Sequence, residues 1–242
     1  MPRVDGKARI HEMCSHYEAP LRKLLQSAFP SASVLDAWDK PDMWPGYIGP
    51  FLRRSDHASV GDDAVPPLEV LTGNFGLLPL WAKDESLAKR TYNARSETVS
   101  EKPAFKNAWR WAQHCIIPAT AIYEPDWRSG KAIATRITRA DDEVLGIAGL
   151  YERRSGADGG WAFSFTMLTL NANGHPIFKE LHRSDPKRPP EMQDKRMVAI
   201  LPRGLYDAWL DAPAERSIDF MRQFPADRLM AKARLTTPES TG

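Results

Sequence analysis

Five segments in the second half of the chain have strand character, and they constrain the fold more than any other feature. Each is rich in β-branched and aromatic residues: 114–125 (HCIIPATAIYEP), 130–140 (GKAIATRITRA), 143–153 (EVLGIAGLYER), 160–170 (GWAFSFTMLTL) and 196–202 (RMVAILP). A chain of 242 residues, 42% of them hydrophobic, is long enough to enclose one sizeable core. The sequence therefore predicts a single α+β domain of mostly antiparallel, barrel-like β-sheets with flanking short helices.

The helices are predicted to be few and short. Segment 18–29 places Leu21, Leu24 and Leu25 among basic residues, which is typical of an amphipathic helix. Further helices are predicted at 83–90, 102–113, 204–210 and 213–224. Between residues 30 and 80 the chain is rich in proline, glycine and tryptophan, which favours short strands and ordered loops. We divide the chain into an extension (1–12), one domain (13–235) and a frayed tail (236–242).

Composition and motifs argue against several classes of protein. The formal net charge of +2 does not by itself indicate a nucleic-acid partner. No apolar run is long enough for a membrane span or a signal peptide, so we expect a cytoplasmic protein with no membrane partner. We also expect a monomer. CxxC, HExxH, GxxxxGK[ST], GxGxxG and GxSxG motifs do not occur in the sequence. We therefore expect no bound metal and no cofactor.

The two cysteines, Cys14 and Cys115, lie about a hundred positions apart. In a chain expected to be cytoplasmic, they indicate one reactive thiol and one buried thiol better than a disulfide. Cys115 falls in an apolar run of strand character, which favours packing. Cys14 directly follows Met13. Cys14 is therefore the candidate for the reactive thiol.

Three sets of polar residues are candidates for function, and each has an ordinary structural alternative. Glu124 ends the apolar run CIIPATAIYE, where burial would raise its pKa and suit it to proton transfer; otherwise it faces water at a strand end. Asn93, Arg95 and Glu97 alternate, so an extended chain would point them to one side; otherwise the stretch is a helix capping box. His182 stands alone in KELHRSD, as surface histidines often do.

Six blocks of the chain, taken together and in order, resemble the SOS-response-associated peptidase (SRAP) family. The resemblance runs from Met13 to about Leu210. The blocks are MCSHYE (13–18), GNFGLLPLWAKD (73–84), NARSET (93–98), CIIPATAIYEP (115–125), MLTLNAN (167–173) and KRMVAILP (195–202).

The resemblance implies an enzyme that processes DNA damage. Proteins of that family recognise abasic sites in single-stranded DNA and form a covalent protein–DNA crosslink, a thiazolidine, through an N-terminal cysteine. By position, that cysteine is Cys14, and Asn93, Glu124 and His182 match the family's other active-site residues. Some lyase activity and self-processing peptidase activity are also expected, as is association with the nucleoid when the protein is bound to DNA.

The resemblance also implies contacts between DNA and basic and aromatic residues. Arg95 and Arg196 match the family's phosphate contacts. Trp81, Trp44 and Phe75 are candidates to stack on unpaired bases, and each is otherwise a core residue. For Phe75 we favour the core.

The sequence departs from the family pattern at two internal places. Ser15-His16-Tyr17 stands where many members have glycine, arginine and phenylalanine, so His16 replaces an expected phosphate contact. A loop at 183–195 is inserted between His182 and Arg196, which leaves His175 as an alternative to His182.

A third departure concerns the amine of Cys14. Twelve residues precede Met13, and with them in place Cys14 has no free amine. The remaining possibilities are that translation begins at Met13, that the extension is cleaved, or that this member forms no thiazolidine. We favour the first.

Two other functions stay open from the sequence. In one, Cys14 and His182 form a cysteine peptidase, which would cleave peptides without any abasic site. In the other, the chain binds single-stranded DNA without chemistry, and this binding would survive Cys14→Ala.

Overall fold

The computed structural model describes residues 14–57, 65–156 and 159–233. The strands are β1 His16–Glu18, β2 Ala32–Val34, β3 Asp42–Met43, β4 Ile48–Arg54, β5 Leu68–Phe75, β6 Asn93–Arg95, β7 His114–Ala119, β8 Ala121–Asp126, β9 Ile133–Arg139, β10 Leu145–Ser155, β11 Trp161–Asn171, β12 Arg196–Val198, β13 Ile200–Leu201 and β14 Leu229–Ala233. The α-helices are α1 Arg22–Ala28, α2 Ala88–Thr91, α3 Lys106–Arg110 and α4 Tyr206–Leu210. Short 3-10 helices occupy Glu85–Leu87, Pro190–Met192, Arg203–Leu205, Ala214–Phe220 and Ala226–Arg228.

Five strands of the larger sheet close into a barrel. Antiparallel pairing runs from β11 through β10, β7 and β4 to β5, and a parallel contact between β5 and β11 completes the ring. In that contact Ser164 lies opposite Asn74, and Phe165 lies opposite Phe75. The single α+β domain with barrel-like, mostly antiparallel sheets is thus confirmed.

The smaller sheet brings β1 next to β8. Its strand order is β14-β9-β8-β1-β3, and every pairing in it is antiparallel. His16 lies opposite Tyr123, so Cys14, which precedes β1, lies beside the end of β8 that carries Glu124. On the barrel, β6 pairs in parallel with β11 and sets Asn93 opposite Met167.

Both sheets contribute to one hydrophobic core. Tyr17 of β1 packs edge-on against Phe75 at 5.2 Å between ring centroids, and Phe75 stacks on Phe165 at 5.6 Å. Phe75 is therefore a core residue, as favoured from the sequence. Cys115 is fully buried in the same cluster, so its predicted packing role is confirmed.

All the predicted helical segments contain helix. Segment 204–210 is helical throughout and 83–90 is helical from residue 85, whereas the helices within 18–29, 102–113 and 213–224 are shorter than predicted. Helix α1 begins at Arg22 rather than residue 18, because Glu18 belongs to β1 and Pro20 keeps the preceding residue extended. Helix α3 begins at Lys106, three residues after Pro103. The proposed extension 1–12 and tail 236–242 lie outside the described residues. Within the described residues, helices long and apolar enough to cross a bilayer are absent.

Candidate functional site

Cys14 lies at the junction of the two sheets, almost fully buried at 2% exposure. Its thiol approaches the carbonyl oxygen of His16 at 3.7 Å. Burial raises the pKa of the Cys14 thiol well above its usual range, and the nearby charge of Glu124 raises it further. The thiol is therefore protonated at neutral pH, which makes it a weak nucleophile until a base removes the proton.

Glu124 and His182 form a buried pair beside this thiol. Because side chains alternate along a strand, Glu124 points to the opposite face of β8 from Tyr123. Its Oε2 lies 2.7 Å from His182 Nε2, and both side chains are almost completely buried. Of the two alternatives left open from the sequence, a buried Glu124 and one facing water at a strand end, the structure has the buried one. The pair can hold and move a proton at the site.

Asn93 is held against the backbone of Cys14. Its Nδ2 donates a hydrogen bond to the Cys14 carbonyl at 2.9 Å. Its Oδ1 is buried and makes no hydrogen bond among the described residues, and the same is true of His182 Nδ1. Buried polar atoms are normally paired. These two atoms are available to a substrate at the site.

The structure assigns different roles to the two candidate histidines. His175 Nε2 lies 2.8 Å from the Phe224 carbonyl, and its Nδ1 accepts hydrogen bonds from the amides of Ile177 and Phe178. His175 therefore organises the turn after β11. His182, by contrast, contacts Glu124 and lies with Cys14 and Asn93 in one cluster.

His16 is the middle ring of a three-ring stack. Its ring lies 4.2 Å from Trp44 and 4.2 Å from Tyr123, with interplanar angles of 8° and 9°. His16 Nε2 also lies 2.7 Å from Asp42 Oδ1. Trp44 forms the outer end of the stack and is 43% exposed. We call Tyr123, His16 and Trp44 the ring stack.

The proposed arginine contacts differ in their surroundings. Arg95 is partly exposed and pairs with Asp194 at 2.7 Å. Arg196 is buried. It forms a bidentate ion pair with Glu97 and donates a hydrogen bond to the Thr169 carbonyl. The predicted phosphate contact through Arg196 requires that ion pair to open. Trp81 is more than half exposed, as base stacking requires.

Two tyrosines near the site were not predicted from the sequence. Burial raises the pKa of Tyr92 to about 12, with contributions from Cys14 and Glu124. Tyr123 donates its hydroxyl to Glu18, which Arg136 also binds at 2.8 Å. Each directly precedes a predicted site residue in the chain, but that adjacency alone carries no chemical signal.

The family relationship rests on a match across most of the chain. The SRAP family model, described as SOS response associated peptidase, matches residues 13–234. The chain belongs to the SRAP family. The match includes all four clustered residues: Cys14, Asn93, Glu124 and His182.

Curated SRAP relatives carry a common name. The chain is 34% identical over 151 residues to abasic site processing protein YoaM of Bacillus subtilis (strain 168), covering 61% of this chain and 59% of YoaM. It is 24% identical over 267 residues to abasic site processing protein HMCES of Gallus gallus, covering 97% of this chain and 74% of HMCES. The chain thus spans less than two thirds of the length of its Bacillus relative YoaM.

Solved structures share this SRAP fold. A protein from Bordetella bronchiseptica superposes with a TM-score of 0.77 at 47% identity, over 91% of this chain and 99% of that one. A protein from Bacteroides thetaiotaomicron superposes with a TM-score of 0.70 at 20% identity, over 91% of each chain. The second likeness concerns the fold alone.

Proposed function

We propose that this protein processes abasic sites in single-stranded DNA by linking covalently to them through Cys14, when Cys14 is the first residue of the chain. The observation that carries the proposal is the buried cluster of Cys14, Asn93, Glu124 and His182, which holds two hydrogen-bonding atoms that have no partner within the described residues. The names of the curated relatives point to the same class of substrate.

The first step uses the amine of Cys14. An abasic deoxyribose opens to an aldehyde, and an α-amine with a pKa of about 7.7–8.0 is partly neutral at cellular pH. The amine nitrogen attacks the aldehyde carbon and gives a carbinolamine, whose hydroxyl leaves as water to form an imine. A proton must reach that hydroxyl, and the Glu124–His182 pair is positioned to supply it.

The second step uses the thiol. The sulfur bonds to the imine carbon while the thiol proton moves to the nitrogen, which closes a five-membered thiazolidine. Because the thiol pKa is raised, this proton needs a nearby acceptor. The charge of Glu124 acts on the thiol, and Glu124 serves as that base. A free amine and a thiol on adjacent carbons are found only at an N-terminal cysteine. The nitrogen of an internal Cys14 is an amide, which forms no imine, so an internal Cys14 cannot form the thiazolidine.

Asn93 and His182 orient the reactants. Asn93 fixes the Cys14 backbone through Nδ2. It offers Oδ1, which has no partner in the part of the chain that the structure describes, to the amine or the sugar. His182 offers Nδ1 to the opened sugar while Nε2 stays on Glu124. Holding reactants in this way converts an encounter into an effectively intramolecular reaction.

Single-stranded DNA is proposed to approach along exposed aromatic and basic residues. Trp44 and Trp81 present exposed indoles to unpaired bases. Arg95 contacts phosphate, as does Arg196 once Glu97 releases it. His16 contributes to DNA binding through the ring stack, in which its ring packs against Trp44.

Two side activities follow from the same chemistry. In the imine state, a base that removes the sugar proton next to the imine carbon breaks the bond to the 3′ phosphate, which is lyase activity. Cleavage of the peptide bond before Cys14 by the protein itself would expose the amine. A general cysteine peptidase is less well supported, because His182 is bound to Glu124 and the Cys14 thiol contacts His16 and Glu124.

The test compares chains expressed from Met1 and from Met13. Each N-terminal mass is determined, and each protein is incubated with single-stranded DNA that carries one abasic site. We expect an adduct that survives denaturation only when Cys14 is the first residue. Cys14→Ala and DNA whose abasic site has been reduced to an alcohol are the controls, and neither should give an adduct.

The result that overturns the proposal is equally clear. A folded protein with Cys14 confirmed as its first residue that forms no adduct contradicts the crosslinking mechanism. Binding of DNA that persists in Cys14→Ala without any adduct in the parent would instead support a non-covalent binding module.

A further inference from the structure

Lys195 is a buried lysine beside His182. It is 6% exposed, and its Nζ donates to the carbonyls of Leu181 at 2.7 Å and His182 at 2.9 Å, and to Ser184 Oγ at 3.2 Å. All three acceptors are neutral, and no ion pair joins Lys195 to a carboxylate in the described part of the chain. Burial lowers the pKa of Lys195, and the charge of Glu180, which forms no ion pair with it, opposes this effect.

A buried ammonium without a carboxylate partner opposes folding unless its hydrogen bonds offset the loss of water. A methionine of similar length would fill the same space without that cost. Unlike an apolar residue, Lys195 donates hydrogen bonds to two consecutive carbonyls, those of Leu181 and His182, which lie on either side of the His182 Cα.

His182 needs such a restraint. Its φ is +62°, in the left-handed region that residues with a Cβ rarely occupy. Strained backbone of this kind persists only where the surroundings fix it. The His182 amide donates to the Pro125 carbonyl at 2.8 Å, its imidazole contacts Glu124, and its carbonyl accepts from Lys195.

Lys195 is the last residue of the inserted loop 183–195, and this loop positions it beside His182. Gln193 accepts from the Asp185 amide at 2.7 Å and donates to the Asp185 and Arg188 carbonyls, which closes the loop on itself. At the end of the loop, the Lys195 amide donates to Asn173 Oδ1 at 2.9 Å. The loop is therefore an ordered spacer that ends in a fixed ammonium.

We propose that Lys195 is a positioning residue, whose ammonium holds His182 in the left-handed conformation that places the imidazole on Glu124. The consequence for catalysis rests on the proposed function, because it assumes that His182 takes part in crosslinking. The effect on the His182 ring does not depend on that assumption.

The test uses chains that begin at Cys14. Lys195→Met removes the hydrogen bonds and keeps the length, Lys195→Arg retains a cation with several donors, and Lys179→Met is the control at an exposed lysine. We expect Lys195→Met to slow single-turnover crosslinking at saturating DNA by at least about tenfold, with DNA affinity within about twofold of the parent. Lys195→Arg should recover part of the rate.

A double variant separates positioning from a general structural effect. If Lys195 acts through His182, Lys195→Met should cause little further loss in a His182→Gln background, whereas independent effects would multiply. The NMR signals of the His182 ring, assigned by their loss in His182→Gln, should change in Lys195→Met and persist in Lys179→Met. Should Lys195→Met not fold, Lys195→Gln replaces it.

Each outcome decides one of the two proposals. A parent chain that forms no adduct contradicts the proposed function, and the ring signals still decide the role of Lys195. Unchanged ring signals and an unchanged rate in Lys195→Met overturn the positioning role while leaving crosslinking intact, and so do losses that multiply in the double variant.

Discussion

At the scale of single residues, the Cys14 thiol shows why the order of bond formation matters. Burial and the charge of Glu124 both favour the neutral thiol. A cysteine peptidase needs a thiolate at the outset, usually stabilised by a histidine. In the proposed crosslinking, the amine attacks first and the thiol needs to lose its proton only when the imine is already in place. A neutral, buried thiol therefore suits the proposed crosslinking better than it suits a cysteine peptidase.

Glu152 provides a prediction for a residue outside the site. It is buried in β10, and burial raises its pKa to about 7, above the value near 4.5 of an exposed glutamate. A carboxyl group whose folded pKa is raised contributes stability below its unfolded pKa and loses that contribution as pH rises through the folded value. The free energy of unfolding should therefore fall between pH 5 and pH 8 because of this group, by roughly 2 kcal/mol.

Urea unfolding of the parent and Glu152→Gln measures this contribution. The difference in unfolding free energy between the two should change in favour of Glu152→Gln as pH rises from 5 to 8. Glu101→Gln, at an exposed glutamate, should show no such trend. A difference that does not vary with pH would mean that Glu152 keeps its charge in the folded protein.

At the scale of elements, the turn between β3 and β4 carries one end of the ring stack. Gly46 adopts a φ of +93° there and donates its amide to the Phe75 carbonyl at 2.7 Å, while the Tyr47 amide donates to the Trp44 carbonyl. The turn is thereby fixed to the end of β5. It holds Trp44 on His16 with an exposed indole next to the proposed DNA path.

Trp44→Ala should weaken binding of single-stranded DNA, because a base stacked on an indole contributes about 1–3 kcal/mol. This corresponds to at least about a fivefold rise in Kd, measured by fluorescence anisotropy with a labelled oligonucleotide. The control is Trp161→Ala: Trp161 is 60% exposed and is the first residue of β11, whereas the partner of Asn93, Met167, lies further along that strand. Equal losses in both variants would contradict a specific role for Trp44.

The elements also show which parts of the site were predictable from sequence. Glu124 could be recognised as a candidate because it ends a strand-like apolar run, but strand alternation alone does not decide whether such a residue is buried or faces water. The resemblance assigned His182 and left His175 as an alternative. The contacts that distinguish the two histidines depend on a left-handed backbone at His182, which no local sequence pattern indicates. No sequence pattern indicated a role for Lys195, because its hydrogen-bond partners here are backbone carbonyls.

At the scale of the whole molecule, the sequence predicted β-sheets around one core but not the strand contact that closes the barrel. Strand character in the second half indicated sheets around one core, and that is what forms. The parallel contact of β5 with β11, which closes the ring, joins segments about ninety residues apart. Contacts between distant segments depend on packing rather than on local propensity. The division into two sheets, with Cys14 between them, was therefore beyond the sequence.

Gly149 tests whether the two sheets unfold together. It lies in β10 at a close approach, where an added Cβ would meet the Thr166 carbonyl oxygen at 2.6 Å and Ile117 at 2.1 Å. The backbone atom cannot move aside easily, so Gly149→Ala should destabilise the fold by about 1–3 kcal/mol. At about 2–4 °C per kcal/mol for a chain of this size, the thermal midpoint should fall by several degrees. Gly174→Ala, where an added Cβ meets nothing within 4 Å, should have little effect.

Hydrogen exchange followed by mass spectrometry then reports on each sheet separately. Because Tyr17, Phe75 and Phe165 join the sheets in one core, the slowest amides of β8 and β9 should lose as much protection in Gly149→Ala as those of β7 and β10. Protection lost in the barrel alone would mean that the smaller sheet is an independent unit. In that case, the pairing of Cys14 with Glu124 would not depend on the barrel. Equal loss of protection in both sheets would mean that the geometry of the site depends on the stability of the whole molecule.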